Sequence, residues 1–245
     1  SGRPGATPHL ALSLPYPPDQ RLDSFDGAPD GALAQLRALA CEPGADWIYV
    51  EGGPGTGKTH LGLALCAEAE RVGRRAAYLP LRAAAGRLSD ALEALESTDV
   101  VALDGLEAVA GDRGDEVALF DFHNRARAAG RGVLYLAGAG PAALPLALPD
   151  LRSRLGQCAR VALRPLDDEG RRDVLRDRAR RRGLVLEDAA IDWLLTRTGR
   201  DIAQLAALLE RIDRGSLAAQ RGVAVPFLRA LLAGQHWEII VVDDD

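Results

Sequence analysis

Along the first two thirds of the chain, two kinds of apolar pattern take turns. Runs of strand length (WIYV at 47–50, RRAAYLPL at 74–81, VVALD at 100–104, VLYLAG at 133–138 and RVALRP at 160–165) alternate with stretches whose apolar residues recur every three or four positions, at 31–40, 58–71, 87–97 and 116–130. Strands alternating with helices predict an α/β fold with a parallel sheet covered on both faces. Past Leu166 the strand pattern stops. Three amphipathic stretches follow at 167–183, 187–199 and 201–215, and a fourth at 224–234 has Pro226 near its first turn. The predicted layout is a flexible tail over 1–22, an α/β domain over 23–165, a small all-helical domain over 166–234 and an acidic tail over 235–245. The first 30 residues, rich in Pro, Gly and Asp, are expected to be extended as far as about Asp30.

Composition narrows the partners. A net charge of −5 over 245 residues argues against a broad basic face for duplex nucleic acid, so DNA contact is expected to be weak or indirect. One local exception is residues 171–182, with seven arginines against two aspartates, read as a solvated helix face or a contact for an acidic partner or DNA. Cys41, Cys66 and Cys158 are widely spaced and lack metal-ligand spacing, which suits reduced, buried thiols. No apolar run has the length to cross a bilayer, and a cytoplasmic protein is expected.

One segment carries chemistry. WIYVEGGPGTGKTHLGLALCAEA runs from an apolar strand through Gly52, Gly53, Pro54, Gly55, Thr56, Gly57, Lys58 and Thr59 into a helix that begins His60-Leu61 and continues with Leu65 and Ala69 on one face. In that context backbone N–H groups and a helix N-terminus cradle phosphates, a lysine reaches the β- and γ-phosphates, and a threonine hydroxyl serves Mg²⁺, so Gly52 through His60 are the expected nucleotide-binding residues. Lys58 is the only lysine in a chain that otherwise uses arginine. Arginine's flat fork does not substitute for that compact, flexible charge. Asp104, ending the apolar run VVALD, falls where ligand crevices form at the carboxyl edge of α/β sheets and is the expected metal partner. Glu107 is the nearest carboxylate able to orient a water. ADP or ATP with Mg²⁺ is the expected ligand.

Strand, P-loop, apolar strand ending in aspartate and a trailing helical lid resemble the AAA+ ATPases, specifically the DnaA branch with its shortened relative Hda. The resemblance covers about residues 10–233. It implies an AAA+ P-loop parallel-sheet domain followed by a helical lid domain. LPDLRSRL (148–155) resembles the segment bearing the arginine finger, which puts that role on Arg154, in what reads as a loop between the fourth and last strands. FDFHNRARAAG (120–130) resembles the helix near a neighbouring protomer and contains Asn124. SLAAQRGVAVPFLRALLAG (216–234) resembles the closing segment of Hda, and an origin-reading domain after it is not expected.

The tail fits a clamp-binding hexapeptide of the family, Gln-Leu-x-Leu-x-Leu, through Leu10, Leu12 and Leu14, with His9 in place of Gln. The implied partners are DnaA and the sliding clamp, the β subunit of DNA polymerase III, with a homo-oligomer left open. The implied job is to stimulate DnaA's ATP hydrolysis together with the DNA-loaded clamp. Three family features are absent: Gly105 follows the strand aspartate instead of glutamate, Ala137 takes the first sensor position and Ala203 the lid's sensor position, with Arg200 the alternative arginine there. Weak or no turnover of bound nucleotide is therefore expected. A self-contained ATPase that loads a helicase or remodels a complex, and a pure clamp-binding adaptor, are the competing readings.

Overall fold

The structure is a computed structural model that describes residues 21–25 and 27–197 together with the single positions 209 and 228. It divides into two compact units after Arg164.

In the first unit five strands form one parallel sheet, β1 (Ile48–Glu51), β2 (Ala76–Pro80), β3 (Val100–Asp104), β4 (Gly132–Ala137) and β5 (Ala159–Ala162), in the order β2-β3-β4-β1-β5. The inner strands β3 and β4 are apolar almost without interruption and buried on both sides, whereas the edges β2 and β5 alternate. That difference is what double helical cover of a parallel sheet dictates. The chain leaves β1 for the far edge and returns through β3 and β4, so β1 is the switch point whose carboxyl end opens a crevice.

Helices α1 (Ala32–Cys41) and α2 (Lys58–Arg71) cover one face, with short helices α3 (Leu81–Ala84) and α4 (Leu88–Glu93) following β2. α2 lies close against the sheet because Gly62 has no side chain; a β-carbon there would sit 2.9 Å from Leu136 Cδ1 and 3.1 Å from the Tyr78 ring. Tyr135, the neighbour of Leu136, points to the opposite face, where α5 (Arg113–Ala128) places His123 against it. α6 (Pro149–Gly156) packs beside α5.

Three expectations need correction. Residues 21–25 are not a loose extension: Leu22–Ser24 form a 3-10 turn, and Leu22 and Phe25 are buried in the main core. α5 starts three residues earlier than its apolar rhythm implies, because the Asp112 side chain caps it by accepting the Asp115 N–H at 2.9 Å. The segment carrying Arg154 is helical rather than a loop, started by Pro149 in its first turn.

The second unit contains α7 (Asp168–Arg181) and α8 (Asp188–Arg197). Asp167 caps α7 by accepting the Gly170 N–H at 2.7 Å. Leu175, Ala179, Ile191 and Leu194 form its own core with Leu209 and Leu228. The arginines of α7 are not an open cationic face. Arg172 pairs with Asp192 at 2.7 Å and Arg176 with Asp188 at 2.9 Å, both on α8, while Arg171 and Arg178 are buried. Beyond Leu209 and Leu228, the expected helices at 201–215 and 224–234 lie outside the described residues.

Candidate nucleotide-binding site

The loop after β1 is tight on its inner side and open outward. Gly55 and Gly57 hold φ of 72° and 92°, the left-handed region that penalises a β-carbon. A β-carbon at Gly52 would lie 2.6 Å from Thr56 Oγ1, and one at Gly57 would lie 2.5 Å from the Phe25 ring, whereas one at Gly53 would meet nothing within 4 Å. Thr56 closes the turn by donating to the Gly53 carbonyl at 2.8 Å. Pro54 and Gly55 are exposed at the tip.

Lys58 is the first residue of α2, and its ammonium donates to the carbonyls of Gly52 at 2.6 Å and Gly53 at 2.8 Å. Burial pushes its pKa down, opposed by the negative charges of Glu107 and Asp104. One residue on, Thr59 Oγ1 donates to Asp104 Oδ2 at 2.7 Å. Asp104 ends β3, in register with Leu136 of β4, so two sequence-distant residues meet at the sheet's carboxyl edge. The same carboxylate oxygen accepts from the Tyr78 hydroxyl at 2.6 Å. Burial, and then that bond to a carboxylate, hold the Tyr78 phenol well above its ordinary pKa.

Glu107, on a 3-10 turn at Leu106–Ala108, is exposed and accepts the Gly138 N–H at 3.1 Å beyond the end of β4. His60 turns away from the cradle: its Nε2 lies 3.2 Å from the Arg21 carbonyl and its ring stands edge-on to Phe25 at 5.3 Å. His9, Leu10, Leu12, Leu14 and Arg200 lie outside the described residues, as does Ala203.

Tyr78 and Phe25 escaped the sequence reading. The tyrosine's role depends on which strand lies beside β3, a non-local fact. Phe25 had a local signal, its apolar i, i+3 spacing with Leu22 in a polar stretch.

On the other face of the sheet, Asn124 and Arg154 are both exposed, on α5 and α6. Asp150, four residues before Arg154, makes no ion pair with it.

The residues present fit a magnesium nucleotide. An open glycine turn, an ammonium held by two loop carbonyls, and a hydroxyl-carboxylate pair beside it are the donor set that phosphate and Mg²⁺ require.

Two family models match: "Hda, lid domain" over residues 168–232 and "IstB-like ATP binding protein" over residues 17–125. Among solved structures, domain III of the replication initiation protein DnaA from Thermotoga maritima is similar at a TM-score of 0.70 and 18% identity, covering 90% of this chain and 98% of that one. AMPPCP-bound DnaA from Aquifex aeolicus is similar at 0.66 and 22%, covering 84% and 69%. The chain has the AAA+ fold of these DnaA structures, and residues 168–232 match the Hda lid model. A Thermotoga maritima RuvB variant also shares the AAA+ fold, at 0.61 and 18%, covering 89% of this chain and 72% of that one.

In a chain of this fold the position after the strand aspartate is telling. Gly105 has φ of 88°, and its N–H donates to the Leu136 carbonyl at 2.9 Å. A glutamate there would have to occupy left-handed backbone, so the departure extends from the side chain to the main chain. Ala137 closes β4 fully buried, with no polar group to offer a phosphate.

Proposed function

We propose that this AAA+ protein binds an adenine nucleotide with Mg²⁺, turns it over weakly or not at all, and regulates replication initiation by stimulating ATP hydrolysis on DnaA together with the DNA-loaded sliding clamp. The observation that carries the reading is an intact phosphate cradle beside a left-handed glycine at the water-activating position, in a chain with an Hda-type lid match. Gly52–Thr59 would hold the phosphates, and Thr59 and Asp104 would hold the metal. When bound, the magnesium nucleotide supplies the negative charge around which the cradle orders. Lys58 would turn from the loop carbonyls to the phosphates, and Tyr78 would keep the Asp104 carboxylate beside Thr59.

Arg154 is the group offered to the partner. It is exposed and forms no ion pair among the described residues, so its guanidinium is free to act in another subunit's site. An arginine supplied in trans stabilises charge on the transferring phosphoryl group and contributes about 10³–10⁵ in rate. Arg154→Ala is expected to leave folding and nucleotide binding intact and to remove the stimulation. The measurement is single-turnover hydrolysis by ATP-bound DnaA with loaded clamp. A variant that stimulates as well as wild type returns the adaptor reading to first place.

One observation favours a second reading, a self-contained ATPase. Glu107 is fixed on the Gly138 N–H and exerts its charge on Lys58. Turnover by the purified chain alone, lost in Glu107→Gln, would select that alternative.

A further inference from the structure

Arg127 lies seven residues after Phe120 and three after Asn124 on α5, placing it on the same helix face as Asn124. Its guanidinium carbon sits 4.2 Å from the centroid of the Trp47 ring. That ring is a fixed platform: Trp47 is 2% exposed, its indole N–H donates to the Arg131 carbonyl at 2.7 Å, and His123 stands edge-on to it at 4.6 Å. A guanidinium over a tryptophan face is held in place by the ring quadrupole while its N–H edge remains free to bond.

Arg127 is exposed and has no carboxylate partner among the described residues, unlike its neighbour Arg125, which pairs with Glu96 at 3.3 Å. It also belongs to the neighbourhood of Arg154. The positive charges of both arginines press on the buried imidazole of His123. The Trp47 carbonyl accepts the Ala159 N–H at 2.8 Å, one residue past Cys158, whose thiol donates to the Arg154 carbonyl at 3.8 Å. Two guanidinium groups, neither paired with a carboxylate among the described residues, thus stand on the packed helices α5 and α6. Maintaining like charges together costs energy in the free protein, and an anionic partner relieves it.

We infer that Arg127, held by Trp47, is a second cation of the Arg154 face, which docks the polyphosphate-bearing site of a partner ATPase subunit. The inference rests on the proposed function and separates two tasks within it. Arg154 acts on the rate at the partner's phosphates; Arg127 acts on encounter and register. Its loss should therefore raise the concentration needed and spare the plateau.

The test is a titration of the full chain into ATP-bound DnaA with DNA-loaded clamp, reading single-turnover hydrolysis at two salt concentrations for wild type, Arg127→Ala, Arg127→Lys and Arg154→Ala. Arg127→Ala is expected to raise the half-saturating concentration about fivefold to tenfold, with the plateau rate unchanged and a weaker dependence on salt. Arg127→Lys should recover part of the loss, since it keeps the charge but not the flat fork. Melting curves of the variants exclude a folding defect. An unchanged half-saturating concentration for Arg127→Ala, with Arg154→Ala inactive, overturns this inference and leaves the proposed function standing. A lost plateau at unchanged half-saturation overturns the docking role as well. Failure of wild type to stimulate at all removes both.

Discussion

Lys58 rests its ammonium on the carbonyls of Gly52 and Gly53, so an arriving phosphate must draw it off oxygens it already satisfies. A charged acceptor makes the stronger hydrogen bond, which gives the exchange its direction. Lys58→Ala is expected to abolish nucleotide binding in calorimetry and to erase the upward melting shift that nucleotide produces, worth about 2.7 kcal/mol at a hundredfold excess over Kd. Retained affinity would dismiss the P-loop assignment. Gly105 makes the opposite point about repair. A β-carbon there meets nothing within 4 Å, so Gly105→Glu pays only for its left-handed backbone, about 1–2 kcal/mol. We expect that variant to melt lower and to gain no rapid ATPase, because the carboxylate starts from a main chain turned away from the usual course. Rapid turnover in Gly105→Glu would show that the missing side chain alone silences the site.

Among the elements, α5 joins the parts together. Glu116, fully buried in its first turn, accepts the N–H groups of Gly111 at 2.7 Å, Ala147 at 2.9 Å and Leu148 at 2.7 Å. Leu148 is the residue that caps α6, so one carboxylate fixes where the helix bearing Arg154 begins. Glu116→Ala leaves those three donors without their acceptor and is expected to cost about 3 kcal/mol or more. Amide exchange at Ala147 and Leu148 should rise with it; an unaltered exchange pattern would show that α6 is held by packing alone. The same elements show what can be read from sequence. α2 was legible at both ends, since glycines precede it and its apolar spacing runs unbroken from Leu61 to Ala69. The start of α5 was not, because Asp112-Arg113-Gly114-Asp115 reads as a polar turn until the cap is seen. α6 is short and surrounded by prolines, and its helix signal, Pro149, reads equally as part of the loop. In the site, the glycine loop and Asp104 announce themselves locally. Tyr78 required the pairing of β2 with β3, which parallel strands do not write into adjacent residues.

At the scale of the whole molecule, each of the two units has a core of its own among the described residues. In the α/β unit one acid-sensitive group is His123, 3% exposed, with Nδ1 3.0 Å from the Tyr135 hydroxyl. Burial, with the nearby charges of Arg127 and Arg154, pushes its pKa down from 6.5 to about 4. As pH falls the unfolded chain therefore takes up this proton before the folded one does. The contribution is complete above pH 6.5 and is lost on the way down to pH 4, amounting to about 3 kcal/mol. Melting temperature should fall across that window, and His123→Phe should flatten the slope. An equal slope in that variant would place the acid sensitivity in the carboxylates.

The lone lysine has a practical consequence as a reporter. Amine-directed acylation of this chain has one side-chain target, Lys58, whose pKa burial lowers. Phosphate at the loop would cover that nitrogen. The extent of labelling at Lys58, read by mass spectrometry, is thus a direct measure of how much of the protein holds nucleotide at any moment, without a mutation, a fluorophore or a partner.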